Sequence, residues 1–236
     1  MTDRKLNIAI IPAAGVGSRM HADRAKQMIE LGGVPLLVHT LRRFECCSAV
    51  DQVILVLQPD LTTEMLGLAS RYNLIKIRRI VAGGAERQDS VYRGLQVIDP
   101  NSAGIVAIHD AVRPFVTPDQ ISSVFERAAQ KGAALLAVPA IDTIKQVKSG
   151  RVYRTLERRA IYQAQTPQAF QYEIIREAYE RALKEGFIGT DDSQLVERMG
   201  HKVSVVEGSH LNIKITRPFD LKLAQVIQSE FPVETL

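Results

Sequence analysis

Three observations predict an α/β fold, a three-layer sandwich around a mostly parallel sheet. First, Val53-Ile54-Leu55-Val56-Leu57 is an unbroken apolar run; without polar alternation it reads as a strand buried on both faces, as parallel sheets require. Second, such runs alternate with segments of helical periodicity along nearly the whole chain. Third, the opening strand Ile8-Ala9-Ile10-Ile11-Pro12 runs into Ala13-Ala14-Gly15-Val16-Gly17-Ser18-Arg19, a loop of small residues ending in a cation.

The loop is the part of the sequence most suited to a ligand. Ala13, Ala14, Gly15 and Gly17 offer almost no side chain, so backbone N–H groups can approach phosphate or base atoms. Arg19 adds a planar fork of donors suited to phosphate oxygens, and Lys26 follows one short segment later. The loop lacks the Gly-Lys-Ser/Thr ending of the Walker A pattern, and Met20 stands where the dinucleotide fingerprint needs its third glycine. By itself the pattern is equally a tight strand-to-helix turn; the combination with Arg19 and Lys26 favours a ligand.

Val34, Leu37, Val38, Leu41 and Phe44 recur at helical spacing behind Gly32-Gly33, with Pro35 expected in the first turn. A less regular helix is expected at about 60–71, and a strand from Lys76 to Val81. That strand opens into a second small-residue loop, Ala82-Gly83-Gly84-Ala85-Glu86-Arg87-Gln88-Asp89-Ser90, before a helix marked by Val91, Leu95 and Ile98. Ser90 falls near that helix start, where its hydroxyl either caps backbone or meets a ligand.

The strand Ile105–Ile108 ends in His109-Asp110-Ala111-Val112-Arg113-Pro114. In an open parallel sheet the ligand crevice lies beyond the carboxyl ends of the strands, and Asp110 sits at that edge. Taken alone, Asp110 is as much a loop or cap residue as a ligand-binding one. Thr117-Pro118 caps a helix whose apolar face is Ile121, Val124, Phe125 and Ala128, and Ala133–Val138 is another buried strand.

From about 142 to 159 the pattern loosens around Ser149-Gly150 into a protruding β-hairpin. It carries Arg151, Arg154, Arg158 and Arg159 within nine residues, too polar to form its own core, so a second subunit is the expected cover. A short strand over Ile161–Gln165, a helix through Ile174, Ala178 and Ala182 ended by Gly186, and a helix from Thr190-Asp191-Asp192-Ser193 follow. A last clear strand lies at Val203–Val206, Leu211–Lys214 returns towards the sheet, and Phe219, Leu223, Val226 and Ile227 define the apolar face of a closing helix.

No repeat, linker or low-complexity tract divides the 236 residues, and a single domain over 1–236 is expected. The apolar fraction of 46% and charged fraction of 24% exclude disordered and fibrous classes. A net charge of +4 suits small anionic substrates but falls short of a nucleic-acid footprint. Cys46 and Cys47 are adjacent, which excludes a disulfide framework or a zinc site and leaves buried or inert thiols. With no apolar leader and no membrane span, a cytoplasmic location is expected.

Gly15–Lys26, Gly83–Ser90, Asp110–Arg113 and Lys214 therefore converge on one sheet edge, where cations outnumber carboxylates. Such a set holds a polyphosphate: Asp110 could bind Mg²⁺ or another divalent cation, and the cations neutralise charge on a transferring phosphorus. No Ser/His/Asp or Cys/His nucleophile set is visible.

At these positions the chain resembles the 2-C-methyl-D-erythritol 4-phosphate cytidylyltransferases. The resemblance rests on Pro12–Met20, Lys26, Gly83-Gly84 with Glu86-Arg87 and Ser90-Val91, and His109–Pro114. It continues through Asp142-Thr143-Ile144-Lys145, Thr166-Pro167-Gln168, Thr190-Asp191-Asp192, Glu207-Gly208 and Asn212-Ile213-Lys214. It implies a Rossmann-like nucleotidyltransferase that joins CTP to methylerythritol phosphate and releases pyrophosphate, in the non-mevalonate isoprenoid pathway. Arg19, Lys26 and Lys214 would be catalytic. Ala13, Ala14, Gly15, Gly17, Gly83, Gly84 and Ser90 would hold the nucleotide together with Arg19 and Lys26. Asp110, Arg113, Thr143, Arg158, Thr166, Thr190 and Lys214 would face the acceptor, and Mg²⁺ would sit on Asp110 or on the CTP phosphates. The family is dimeric through an exchanged hairpin, so Thr143 and Arg158 would serve the partner's site. Two alternatives stand beside this: a cytidylyltransferase for another alditol phosphate such as ribitol 5-phosphate, and a CTP-binding module without turnover.

Overall fold

The computed structural model describes residues 4–15 and 25–231. In chain order these form β1 (Leu6–Pro12), β2 (Glu30–Leu31), β3 (Val34–Pro35), α1 (Leu36–Cys46), β4 (Gln52–Leu57), α2 (Thr62–Arg71), β5 (Ile77–Ala82), α3 (Arg87–Gln96) and β6 (Ala103–Ile108). The chain continues through α4 (Pro118–Lys131), β7 (Ala133–Pro139), β8 (Lys145–Lys148), β9 (Arg151–Thr155), β10 (Tyr162–Gln171), α5 (Tyr172–Glu185), α6 (Asp192–Arg198), β11 (Ser204–Glu207) and α7 (Pro218–Glu230).

Seven strands form one sheet in the order β11-β7-β10-β6-β1-β4-β5. All neighbours run parallel except β10, which is antiparallel to both β6 and β7. The unbroken apolar runs have the expected cause. Ala9 and Ile11 of β1, with Val53, Leu55 and Leu57 of β4, pack in one core with residues of α1, α2 and α4. Ile8, Ile10, Ile54 and Val56 point the other way, into a second core with α3, α5 and α6. Burying both faces of β1 and β4 leaves no site for polar residues inside those strands, so the loops beyond their ends carry them, while β10 alone among the central strands buries Gln165, Thr166 and Gln168.

Several helix boundaries follow the sequence signals. Thr117 and Gln120 make a reciprocal capping box at the start of α4, and Gly186 closes α5 in the left-handed region at φ 61°. Three expectations are corrected. Pro35 lies in β3, paired with Glu30, one residue before α1, because Gly32 and Gly33 at positive φ turn the chain into a small hairpin. The short strand expected at 161–165 is the ten-residue β10; a register shift between Ala164 and Gln168 accommodates Pro167 inside a central strand. In α7 the buried residues are Ala224 and Ile227, while Phe219, Leu223 and Val226 are exposed. As expected, residues 211–214 return towards the sheet, and they do so as a loop.

The hairpin of β8 and β9 is a separate two-stranded sheet, exposed throughout. Both thiols are free, with Cys47 buried and Cys46 exposed. Among the described residues no helix is long and apolar enough to cross a membrane.

Candidate active site

A cavity of about 420 Å³ opens beyond the carboxyl ends of β1, β4, β5 and β6. This is the crevice an open parallel sheet is expected to offer. Of the sequence-predicted residues, Ala13, Ala14, Gly15, Lys26, Gly83, Gly84, Ser90, Asp110 and Lys214 line it. Gly17 and Arg19 lie outside the described residues.

The floor is made of backbone and small side chains held in place by hydrogen bonds. Ala13 donates its N–H to the Val56 carbonyl at 2.7 Å, and its own carbonyl accepts from the buried Gln27 amide at 2.5 Å. Gly83 donates to the Leu57 carbonyl at 2.8 Å. A Cβ on Gly83 would collide with Ala14 Cβ, and one on Gly84 with Asp89 Cβ, so the two small-residue loops pack at a distance only glycine allows. Ser90 lies in the first turns of α3, whose cap is the Glu86–Asp89 box, and lines the cavity; its hydroxyl accepts from Gly84 N–H and donates to the Glu86 carbonyl, each at 3.1 Å.

The electrostatic centre is Asp110. Lys214 Nζ lies 2.9 Å from its Oδ2, Arg113 Nε lies 3.3 Å from the same oxygen, and Arg87 Nε lies 3.3 Å from Oδ1. Burial by itself would raise this carboxyl; Arg87, Lys214 and Arg113 together outweigh burial and hold it well below the usual carboxylate range. Arg113 also donates to the Asn212 carbonyl at 2.7 Å, joining the loop after β6 to the segment carrying Lys214.

Arg87 is the functional residue that sequence reasoning quoted without assigning. It lines the cavity, yet both terminal nitrogens are held by the fully buried Asp192, at 3.0 and 2.7 Å, and Asp192 also accepts from Tyr179. Burial disfavours the Arg87 charge, but Asp192 and Asp110 raise its pKa well above the ordinary value. Nothing local in sequence marked this, because the partner lies 105 residues away. Gln27, Gln58, Pro59, Glu86, Ala111 and Val112 were also unassigned and line the cavity.

The remaining predicted acceptor residues divide into two groups. Thr166 is buried beside the site, its Oγ1 accepting from the Asp110 backbone N–H at 3.0 Å. Thr190 stands just before Asp191, the N-cap of α6, with its N–H donating to Gln194 Oε1 at 2.7 Å, and borders a smaller cavity of about 100 Å³ shared with Glu86 and Arg87. Thr143 and Arg158 are exposed at the base of the hairpin and line none of this; Arg158 donates to the Ile141 carbonyl at 2.8 Å. Within one chain they are not brought to the cavity.

The model of the family IspD, 2-C-methyl-D-erythritol 4-phosphate cytidylyltransferase, matches residues 7–230. The chain is 47% identical over 221 residues to 2-C-methyl-D-erythritol 4-phosphate cytidylyltransferase of Halalkalibacterium halodurans, covering 94% of this chain and 96% of the relative. It is 49% identical over 220 residues to the enzyme of that name in Syntrophus aciditrophicus, covering 92% and 94%. Among solved structures it is similar to 4-diphosphocytidyl-2C-methyl-D-erythritol synthase of Anaerococcus prevotii, with TM-score 0.86, 35% identity and coverage of 95% and 96%. It is also similar to 2-C-methyl-D-erythritol 4-phosphate cytidylyltransferase of Thermus thermophilus, with TM-score 0.76, 32% identity and coverage of 93% and 98%.

Proposed function

The chain belongs to the 2-C-methyl-D-erythritol 4-phosphate cytidylyltransferase family, and on that premise we propose how its cavity works. The enzyme is a nucleotidyltransferase that joins CTP and methylerythritol phosphate to give the CDP-alditol and pyrophosphate, a step of isoprenoid precursor synthesis. The observation that carries the site assignment is the convergence of two small-residue loops with Lys26, Asp110 and Lys214 on one cavity. The alternatives of another alditol phosphate, or of CTP binding without turnover, are not favoured by relatives that share one name.

Cytosine and ribose lie against Ala13, Ala14, Gly83, Gly84 and Ser90, where a larger side chain would fill the base site. The triphosphate is held by Gly15, Gly17, Arg19, Lys26 and Lys214. The acceptor phosphate oxygen attacks the α-phosphorus in line and pyrophosphate leaves on the opposite side. A phosphate monoester is already largely ionised at pH 7, so no general base is needed. The chain's task is to align two anions and neutralise the charge that builds between them, which the fixed cations do.

The donor set fits magnesium or a similar hard cation that arrives on the nucleotide. Among the described residues no group of three His, Cys, Asp or Glu could cage a metal, and both Asp110 oxygens already meet cations. A divalent ion held chiefly by phosphate oxygens suits that arrangement and would supply further charge neutralisation. Asp110 then serves mainly to orient Lys214 and Arg113 towards the acceptor, together with Thr166 and Thr190.

The working enzyme is a homodimer in which the β8–β9 hairpin crosses to the partner. Its Val147, Val152 and Tyr153 are exposed large apolar side chains, and crossing would carry Thr143 and Arg158 to the other subunit's acceptor site. Residues 1–236 act as one nucleotidyltransferase domain, and CTP as substrate suits the cytoplasm. The test is pyrophosphate release with CTP, Mg²⁺ and a panel of alditol phosphates. Release with methylerythritol phosphate well above that with ribitol 5-phosphate is expected; the reverse order, or no release, would overturn the assignment.

A further inference from the structure

His109 sits at the end of β6, fully buried, with its ring against Phe44 at a centroid distance of 5.0 Å. It does not line the cavity described above, and the mechanism above makes no use of it. Each ring nitrogen meets a hydrogen-bond partner. Nε2 lies 3.1 Å from the Arg113 carbonyl oxygen, and Nδ1 lies 3.1 Å from Thr166 Oγ1.

These partners fix the direction of each hydrogen bond. A carbonyl oxygen only accepts, so Nε2 carries the hydrogen. An imidazolium sealed away from water with no carboxylate on its ring would be costly, so Nδ1 is bare and accepts. The Thr166 hydroxyl therefore donates to His109, while the same oxygen accepts from the Asp110 N–H. The chain of bonds runs one way, from the Asp110 amide through Thr166 to His109 and on to the Arg113 carbonyl. It closes a loop across residues 109–113, the segment that carries Asp110 and Arg113.

We propose that His109 is a positioning residue that takes up the Thr166 hydroxyl hydrogen, so that Thr166 presents only a lone pair to the acceptor. This rests on the acceptor site proposed above and sharpens it. Thr166 then recognises a hydroxyl of the alditol, which can donate, and is unsuited to its phosphate oxygens, which cannot.

Asparagine and glutamine separate the two halves of the role. His109→Asn keeps an acceptor oxygen near the Nδ1 position; His109→Gln keeps a donor near Nε2 and loses that acceptor. With Mg²⁺ and saturating CTP, His109→Asn should hold the KM for methylerythritol phosphate within about twofold, and His109→Gln should raise it roughly tenfold, the scale of one misdirected hydrogen bond. Neither should move the KM for CTP. Equal effects of the two variants on the acceptor KM, or a matching rise for CTP, would overturn the proposal.

A second measurement does not depend on turnover. Nitrogen-15 spectra of histidine-labelled wild-type protein at neutral pH should show His109 with a protonated Nε2 and a bare Nδ1, and Thr166→Val should shift Nδ1 while Thr166→Ser leaves it near its place. A protonated Nδ1, or an Nδ1 signal indifferent to Thr166→Val, would overturn the assignment even if His109→Gln fails to fold. Wild-type protein that turns over no alditol phosphate would sink the functional reading instead, leaving the nitrogen spectra to decide the orientation of Thr166.

Discussion

At the scale of single residues, the site is a carboxylate placed to hold cations rather than to act as a base. Asp110 meets three of them; Arg87 is also tied to Asp192 and Arg113 to the Asn212 carbonyl, so Lys214 is the one of the three placed to reach a phosphate. Replacing Lys214 with Ala should lower turnover about a hundredfold, on the order of 3 kcal/mol of transition-state stabilisation, with little change in thermal stability; near-normal turnover would refute its role. Burial pushes His109 from 6.5 down to about 4, so its folded form is the neutral one. Its contribution to stability is complete above pH 6.5 and is lost as pH falls towards 4, a loss on the order of 3 kcal/mol. Asp110 is shifted down as well, but from 3.8, so its contribution survives that window and fades only below it. Thermal melts between pH 7 and 4 should therefore fall more steeply for wild type than for His109→Asn, and parallel slopes would contradict the burial assigned to His109.

At the scale of elements, the bidentate pair of Arg87 and Asp192 joins the first residue of α3 to the first of α6 and so ties the nucleotide loop to the loop bearing Thr190. Arg87→Ala leaves the fully buried Asp192 unpaired, and denaturant unfolding should show a loss of roughly 3 kcal/mol, partly recovered by adding Asp192→Asn. A loss below about 1 kcal/mol would mean that water reaches Asp192. The strands were legible in sequence because burial on both faces leaves an unbroken apolar run, as in β1 and β4. The exceptions have physical reasons. Pro167 hid the length of β10, since only a register shift lets it stand in a central strand. In α7 two apolar rows share the helical period, and periodicity could not show that Ala224 and Ile227 are the buried row. The same holds for the site: small-residue loops and flanking cations announce themselves locally, whereas the Arg87–Asp192 and His109–Thr166 pairs exist only after folding.

At the scale of the whole molecule, one sheet gathers Ala13, Ala14, Gly15, Lys26, Gly83, Gly84, Ser90, Asp110 and Lys214 of a single chain around one cavity, while Thr143 and Arg158 stand outside it on the exposed hairpin base. An exchanged hairpin makes a complementation experiment decisive. Mixing inactive Arg158→Ala and Lys26→Ala chains should rebuild one intact site per heterodimer and restore activity towards about a quarter of wild type under random exchange. Subunits that exchange without recovery would place Arg158 in its own chain's service or in none. The central claim is that fixed cations align a direct attack on the α-phosphorus with no covalent intermediate on the protein. Turnover of CTP carrying a single sulfur on the α-phosphorus, with methylerythritol phosphate as acceptor, tests it most directly. One in-line displacement predicts inverted configuration at that phosphorus in the product; retained configuration would require two displacements and a protein nucleophile, and would contradict the mechanism.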